Sequence, residues 1–268
     1  MHFLRYLAIA LVVASLGPGI LQAADADDQP PELLIGYTEF RTNLPGGRYV
    51  NQATFRAVVV KADGTGRRVL AEELTREKNS WTQFAGWSPD GKTAVFSRAW
   101  MSDENGKWEE EHKTFRYPKG GFSCDGYLFD QATAKATNVT AVDRISHANE
   151  YLQYWPDEKT LSFSAHIDGV SRSYLMDLDG KNKRELIRKT PKLVHGMSLS
   201  PDGKRGAYED SAYRLFLADG DGSNAKHVET GQRFNFLPEW APDGPGCCSC
   251  PANTTTATRT WSRRTARA

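Results

Sequence analysis

Gly86-Trp87-Ser88-Pro89-Asp90-Gly91-Lys92-Thr93-Ala94-Val95-Phe96-Ser97 is a stretch that the chain repeats. It returns as Tyr154-Trp155-Pro156-Asp157-Glu158-Lys159-Thr160-Leu161-Ser162-Phe163-Ser164, then as Leu199-Ser200-Pro201-Asp202-Gly203-Lys204-Arg205-Gly206-Ala207-Tyr208, and opens once more as Glu239-Trp240-Ala241-Pro242-Asp243-Gly244. The core of each copy is a turn: Pro presets φ, Asp bonds the local backbone, and Gly takes the left-handed position. Alternating Val, Phe or Leu after the turn reads as a half-buried strand. Each copy is therefore strand, tight turn, strand, and Pro89, Asp90, Gly91, Pro156, Asp157, Pro201, Asp202, Gly203, Pro242, Asp243 and Gly244 are structural turn residues.

Working outward, a second element follows each turn: Tyr127-Leu128-Phe129-Asp130, Tyr174-Leu175-Met176-Asp177 and Leu215-Phe216-Leu217-Ala218-Asp219, with Ala57-Val58-Val59-Val60-Lys61 as a first copy. Weaker strands are expected at 67–70, 137–140, 184–187 and 226–229. These make a four-stranded unit. Successive motif prolines lie 67, 45 and 41 residues apart, and the last two spacings fall in the range of propeller blades. The expected fold is all-β, a β-propeller of four-stranded blades, with about four blades present of a ring of six or more. The first spacing is long, which places a polar and charged loop insertion at 99–125. Its Trp100 and Trp108 are candidates for ligand contact, because long excursions often carry function.

The repeated Trp-Ser-Pro-Asp-Gly-Lys and the later Tyr-Leu-Met-Asp-Leu-Asp-Gly resemble the repeats of TolB-like β-propellers, over about Leu33 to Gly244. The resemblance implies an exported or periplasmic protein with about six blades that binds protein or glycan. Motif residues in that family are architectural, so no catalytic residue is carried over. Four blades would leave a wedge with unpaired faces, since propellers remove sheet edges by closing the ring. A genuine four-bladed ring is the other reading.

The 268 residues are 39% hydrophobic and 25% charged, an ordinary globular composition. Five of the 34 basic residues lie in the first 23 and last 24 positions; without them 29 basic face 33 acidic groups, so no nucleic-acid footprint exists. Arg5, an apolar stretch from Tyr6 to Leu16 and Ala23 read as a signal peptide over 1–23, too short to span a membrane. The propeller body is assigned to 24–244. From 245 to 268 the vocabulary changes abruptly to Thr, Ala and Arg with Cys247, Cys248 and Cys250, which reads as an unfolded, aberrant tail from a reading-frame error. A one-base shift of frame turns Cys247-Cys248 into Leu and lets the repeats continue.

Chemistry is sparse. No Gly-x-Ser-x-Gly elbow, phosphate loop or paired-His helix motif is present. Six residues before the motif prolines stand Gln83, Glu150, His195 and Phe236, with Asn149 and Asn235 one position earlier. Innermost strands converge on a propeller's axis, so Gln83, Glu150, His195 and Asn235 are the ligand-channel candidates. Such a set is similar in kind to the channel-mouth metal site of oligogalacturonate lyases, although polar lining alone also explains it; no cofactor or metal is assigned. His147 and His166 could each act as a base if a carboxylate oriented them, though a satisfied loop histidine is the plainer role. The function expected is an exported, periplasmic or secreted, non-enzymatic module binding protein or polysaccharide at the propeller face. The alternative is a metal-dependent glycan lyase of the oligogalacturonate type, or the propeller part of a hydrolase.

Overall fold

The computed structural model describes residues 33–186, 197–210, 212–240 and 247–251. All elements lie in the unit Leu34–Ala268. The first sheet is three-stranded: β1 (Leu34–Glu39), β2 (Arg56–Lys61) and β3 (Arg68–Val69), in that order. Three complete four-stranded sheets follow in strict sequence order. They are β4 (Ser80–Trp87), β5 (Thr93–Met101), β6 (Phe122–Asp130) and β7 (Lys135–Asn138); then β8 (Asn149–Tyr154), β9 (Thr160–Ile167), β10 (Val170–Asp177) and β11 (Arg184–Glu185); then β12 (Ser198–Leu199), β13 (Arg205–Glu209), β14 (Leu215–Asp219) and β15 (Lys226–His227). A two-stranded sheet, β16 (Asn235–Trp240) with β17 (Cys247–Pro251), ends the series. All pairings are antiparallel. The architecture is the all-β propeller that the repeats imply, with three four-stranded sheets among the described residues, a three-stranded sheet before them and a two-stranded one after them. The fourth strands are short, two to four residues, and begin or end within a few residues of where the sequence places them.

Turn chemistry explains the hairpins. Asp90 Oδ1 accepts from the Lys92 amide at 3.1 Å and from Ser88 Oγ at 2.7 Å, while Ser88 Oγ accepts from the Thr93 amide at 2.9 Å. Asp202 and Ser200 repeat this with Lys204 and Arg205 at 3.1 and 3.0 Å. In the copy that has Trp155 in place of Ser, the Thr160 hydroxyl takes over, donating to Asp157 Oδ2 at 2.7 Å. Gly91 and Gly203 have φ of 71° and 68°, and Glu158 occupies the same position with φ of 60°.

Each whole blade also buries one stacked cross-strand aromatic pair. Phe96 on Tyr127, Phe163 on Tyr174 and Tyr208 on Phe216 have centroids 5.3, 5.6 and 5.4 Å apart and rings within 24° of parallel. Each pair sits in register on neighbouring strands and contributes about 0.5–1.5 kcal/mol beyond area burial. Between blades the motif tryptophans act as packing: Trp240 Nε1 donates to Ser198 O at 3.0 Å, and Trp155 lies against the Met197, Tyr208 and Phe216 cluster.

The insertion corrects the sequence expectation. β5 runs on to Met101 and β6 starts at Phe122, so the excursion is 102–121 and contains the helix α2 (Asp103–His112) instead of a loop. Ser102 caps α2, its Oγ accepting from the Asn105 amide at 3.1 Å, with Asp103 and Glu104 in the first turn where the helix dipole favours acids. The short helix α1 (Arg48–Gln52) lies against it; a Cβ on Gly106 would fall 2.6 Å from the Tyr49 ring, which is why this helix carries glycine in its middle. Of the segment 245–268, Cys247–Pro251 pairs with β16, and the rest, like the expected signal peptide at 1–23, lies outside the described residues.

Candidate functional site

Gln83 stands on β4 opposite Ser97, and Glu150 on β8 opposite Ser164; both are half-buried on the innermost strands of successive blades. Asn235 opens β16 but is buried: its Nδ2 donates to Tyr213 O at 3.3 Å and its Oδ1 accepts from Thr230 Oγ1 at 3.0 Å. His195, and the turn residues Pro242, Asp243 and Gly244, lie outside the described residues. The structure thus sets Gln83 and Glu150 at matching places on neighbouring strands and directs Asn235 into the seam between blades.

The position of Asn235 belongs to a series that sequence reading passed over as a tie. Thr82 Oγ1 accepts from the Ala57 amide at 2.9 Å, reaching back to the preceding sheet. Asn149 Nδ2 donates to Asp125 Oδ1 at 3.0 Å and to Ser146 O at 2.9 Å, and is close to Cys124 O. Thr82 and Asn149 stand one residue before Gln83 and Glu150, Asn235 one before Phe236, and all three are at most 3% exposed. A buried amide or hydroxyl calls for partners, and the Thr82 hydroxyl and the Asn149 and Asn235 side-chain nitrogens find theirs on the preceding blade's backbone or carboxylate, while Asn149 Oδ1 has no hydrogen-bond partner within the protein.

Asp125, at the edge of the expected insertion, is the hub of one seam. Its carboxylate accepts two bonds from Arg144, 3.1 and 2.9 Å, and one each from Asn138 at 3.2 Å, Thr140 at 2.9 Å and Asn149. Asn138 is therefore engaged on β7, bonding Asp125 and the Tyr127 hydroxyl.

The return limb of the insertion reaches the loop that leads into β8. Tyr117 O lies 2.8 Å from His147 Nε2, so that nitrogen carries the proton in the neutral ring and Nδ1 keeps the lone pair. The Tyr117 ring is 4.7 Å from that of His166 and 4.9 Å from that of Phe122. Burial, then the charges of Glu150 and Glu109, push the Tyr117 phenol up, which places this loop residue in the field of the channel candidate. Burial first, and His147 second, hold the His166 imidazole below its ordinary value, so it is neutral near pH 7.

Of the two insertion tryptophans, Trp100 ends β5 opposite Ser80 and Ser123 and is half-buried. Trp108 on α2 stacks on His112 at 4.1 Å with the Arg116 guanidinium 4.2 Å from its ring. Beneath it Glu109 is 2% exposed, accepting from Arg48 Nη2 and the Arg116 amide at 3.1 Å each; burial raises its carboxyl against the lowering pull of those partners. This polar knot anchors the insertion to α1. Among the described residues no group of three or more His, Cys, Asp or Glu stands close enough together to hold a metal ion.

No family model and no curated protein matches the sequence of this chain. Solved structures match its fold: TolB from Acinetobacter baumannii at TM-score 0.57 and 18% identity, covering 82% of this chain and 48% of that one. The fold is that of a TolB-like β-propeller. The protein described as a TolB of Agrobacterium tumefaciens matches at TM-score 0.51 and 18% identity, over 79% of this chain and 67% of that one. An oligogalacturonate lyase in complex with manganese matches at TM-score 0.50 and 15% identity, over 82% and 59%. The TolB-like propeller described here spans about half the length of the Acinetobacter chain. No helix among its described residues is long and apolar enough to cross a membrane.

Proposed function

We propose that this TolB-like propeller is an exported, periplasmic or secreted, non-enzymatic module that captures a protein or glycan ligand at its channel mouth. Gln83 and Glu150 would contact the ligand from the innermost strands, and the insertion with Trp100 and Trp108 would extend that surface. The observation that carries the reading is the anchoring of Tyr117 to His147 within the field of Glu150, which joins the insertion and an innermost strand into one polar rim. The basic and apolar start of the chain supports export. Fold likeness hosts many functions, so the rim and not the fold must bear the test.

A second reading, a metal-dependent lyase, is favoured by the fold shared with the manganese-bound oligogalacturonate lyase. The described residues do not fit a metal site, so no catalytic step is derived from it. One paired measurement on the full chain separates the two: calorimetric binding of an oligogalacturonide, and release of unsaturated uronate with and without manganese(II). Binding without turnover, weakened about tenfold by Glu150→Gln together with Gln83→Ala, supports the module. Manganese-dependent turnover overturns it. Absence of glycan binding moves the test to a protein partner, crosslinked through position 108 and lost in the same double variant.

A further inference from the structure

The blades do not present the same face to their neighbours. Six residues after the motif proline, the second sheet has Val95 and the fourth has Ala207, both buried and apolar; the third sheet has Ser162. Ser164 shares its face two residues on along β9, Ser173 lies directly opposite Ser164 on β10, and Gln153 on β8 lies opposite Ser162. The three serines are 5%, 4% and 7% exposed, and none of their hydroxyls has a hydrogen-bond partner within the protein. Three such hydroxyls on one face are far from the native norm, because a buried hydroxyl stripped of water and left unbonded is destabilising.

Two of the three, Ser162 and Ser173, border a cavity shared with Tyr151, Gln153 and Met197. About 10 Å³ of it is open to the centre of a water molecule, which is the room of a single water. Across this seam Gln153 Nε2 donates to Met197 O at 2.9 Å, so the third sheet already meets the entry to the fourth through a polar contact.

We propose that this cavity is the binding site of one ordered water, bonded by Ser162 Oγ and Ser173 Oγ of the third blade where that blade faces Met197 at the entry to the fourth. A hydroxyl rotor can donate or accept, so the two serines suit a molecule that does both. The water would stand beside the direct Gln153 tie and the Trp155 packing that already hold this seam.

The serines themselves provide the test. Ser164 does not border the cavity, so Ser164→Ala removes a hydroxyl that bonds nothing and raises the urea midpoint of the full chain. Ser162→Ala and Ser173→Ala each remove a bond to the water and lower the midpoint, and the double change costs less than the sum of the two because they share one molecule. A crystal structure of the chain shows a density peak within hydrogen-bonding distance of both hydroxyls. An empty cavity in that crystal, or a Ser162→Ala midpoint that rises as Ser164→Ala does, overturns the proposal.

Discussion

Asp125→Ala removes the acceptor on which the seam between the second and third blades converges. Its side chain is 14% exposed, against 43% for Arg144, so the two ends of this ion pair sit in different surroundings. With the carboxylate gone, Arg144 turns to water at little cost. Asn138 keeps the Tyr127 hydroxyl, and Asn149 keeps Ser146 O. The Thr140 hydroxyl, 1% exposed, loses its best acceptor, and one Asn149 proton is left without a good one. Two stranded buried donors at about 1 kcal/mol each, with a lost charge-assisted bond of similar size, give a destabilisation of about 3 kcal/mol. With a urea slope of about 2 kcal/mol/M, the midpoint falls by about 1.5 M. Arg144→Ala leaves the carboxylate its three neutral donors and acts mainly at the surface, so it costs about 1 kcal/mol or less. Equilibrium urea unfolding followed by tryptophan fluorescence measures both. A midpoint change under about 0.3 M for Asp125→Ala, or an Arg144→Ala effect as large as that of Asp125→Ala, would refute the view that buried satisfaction, and not the ion pair, holds this seam.

Two further outcomes follow from particular residues. Glu158 sits at φ 60° where its counterparts Gly91 and Gly203 hold the turn; Glu158→Gly relieves left-handed strain of about 1–2 kcal/mol against a smaller entropic loss, and should raise the melting temperature by about 2 °C. A lower melting temperature would show that the Glu158 side chain contributes more than its backbone costs. His166 has a depressed folded pKa, so below about pH 6.5 the unfolded chain takes up a proton that the folded ring declines. Stability therefore drops as pH falls through that range and levels once the folded ring also titrates. Urea midpoints between pH 7.5 and about 5 should show this slope, and His166→Asn should flatten it.

The blades were legible because their information is local. A Pro-Asp-Gly turn is chemistry within five residues, and Ser88, Thr160 and Ser200 complete it from within the same hairpin. The helix of the insertion was not legible because its buried face is Asn105, Gly106 and Glu109, with no apolar stripe for a period of 3.6 to reveal. The signal available was Ser102 followed by two acidic residues, a start marker without a hydrophobic pattern behind it. Likewise, Asn235 read as a channel residue because position relative to Pro242 was the only coordinate at hand; whether an amide faces the axis or the seam depends on strand phase.

That phase decides where the candidate site residues stand. Strand β8 buries Asn149 and Leu152, three residues apart, although the faces of a regular strand alternate every two. The register explains it: pairing with β9 slips between Glu150 and Gln153, and Tyr151 absorbs the extra residue with φ of 57°. Slips at matching places appear between Phe84 and Gly86 on β4 and between Phe236 and Glu239 on β16. A bulge of this kind reverses which face the rest of the strand presents. On β8, then, Asn149 can tie the seam behind it and Leu152 can fill the core ahead, while Glu150, between them, stays half-buried. Gln83, one residue ahead of the slip on β4, is placed by the same device. The half-buried setting of the proposed rim residues thus follows from the bulge, and a strand read with a strict period of two cannot show it.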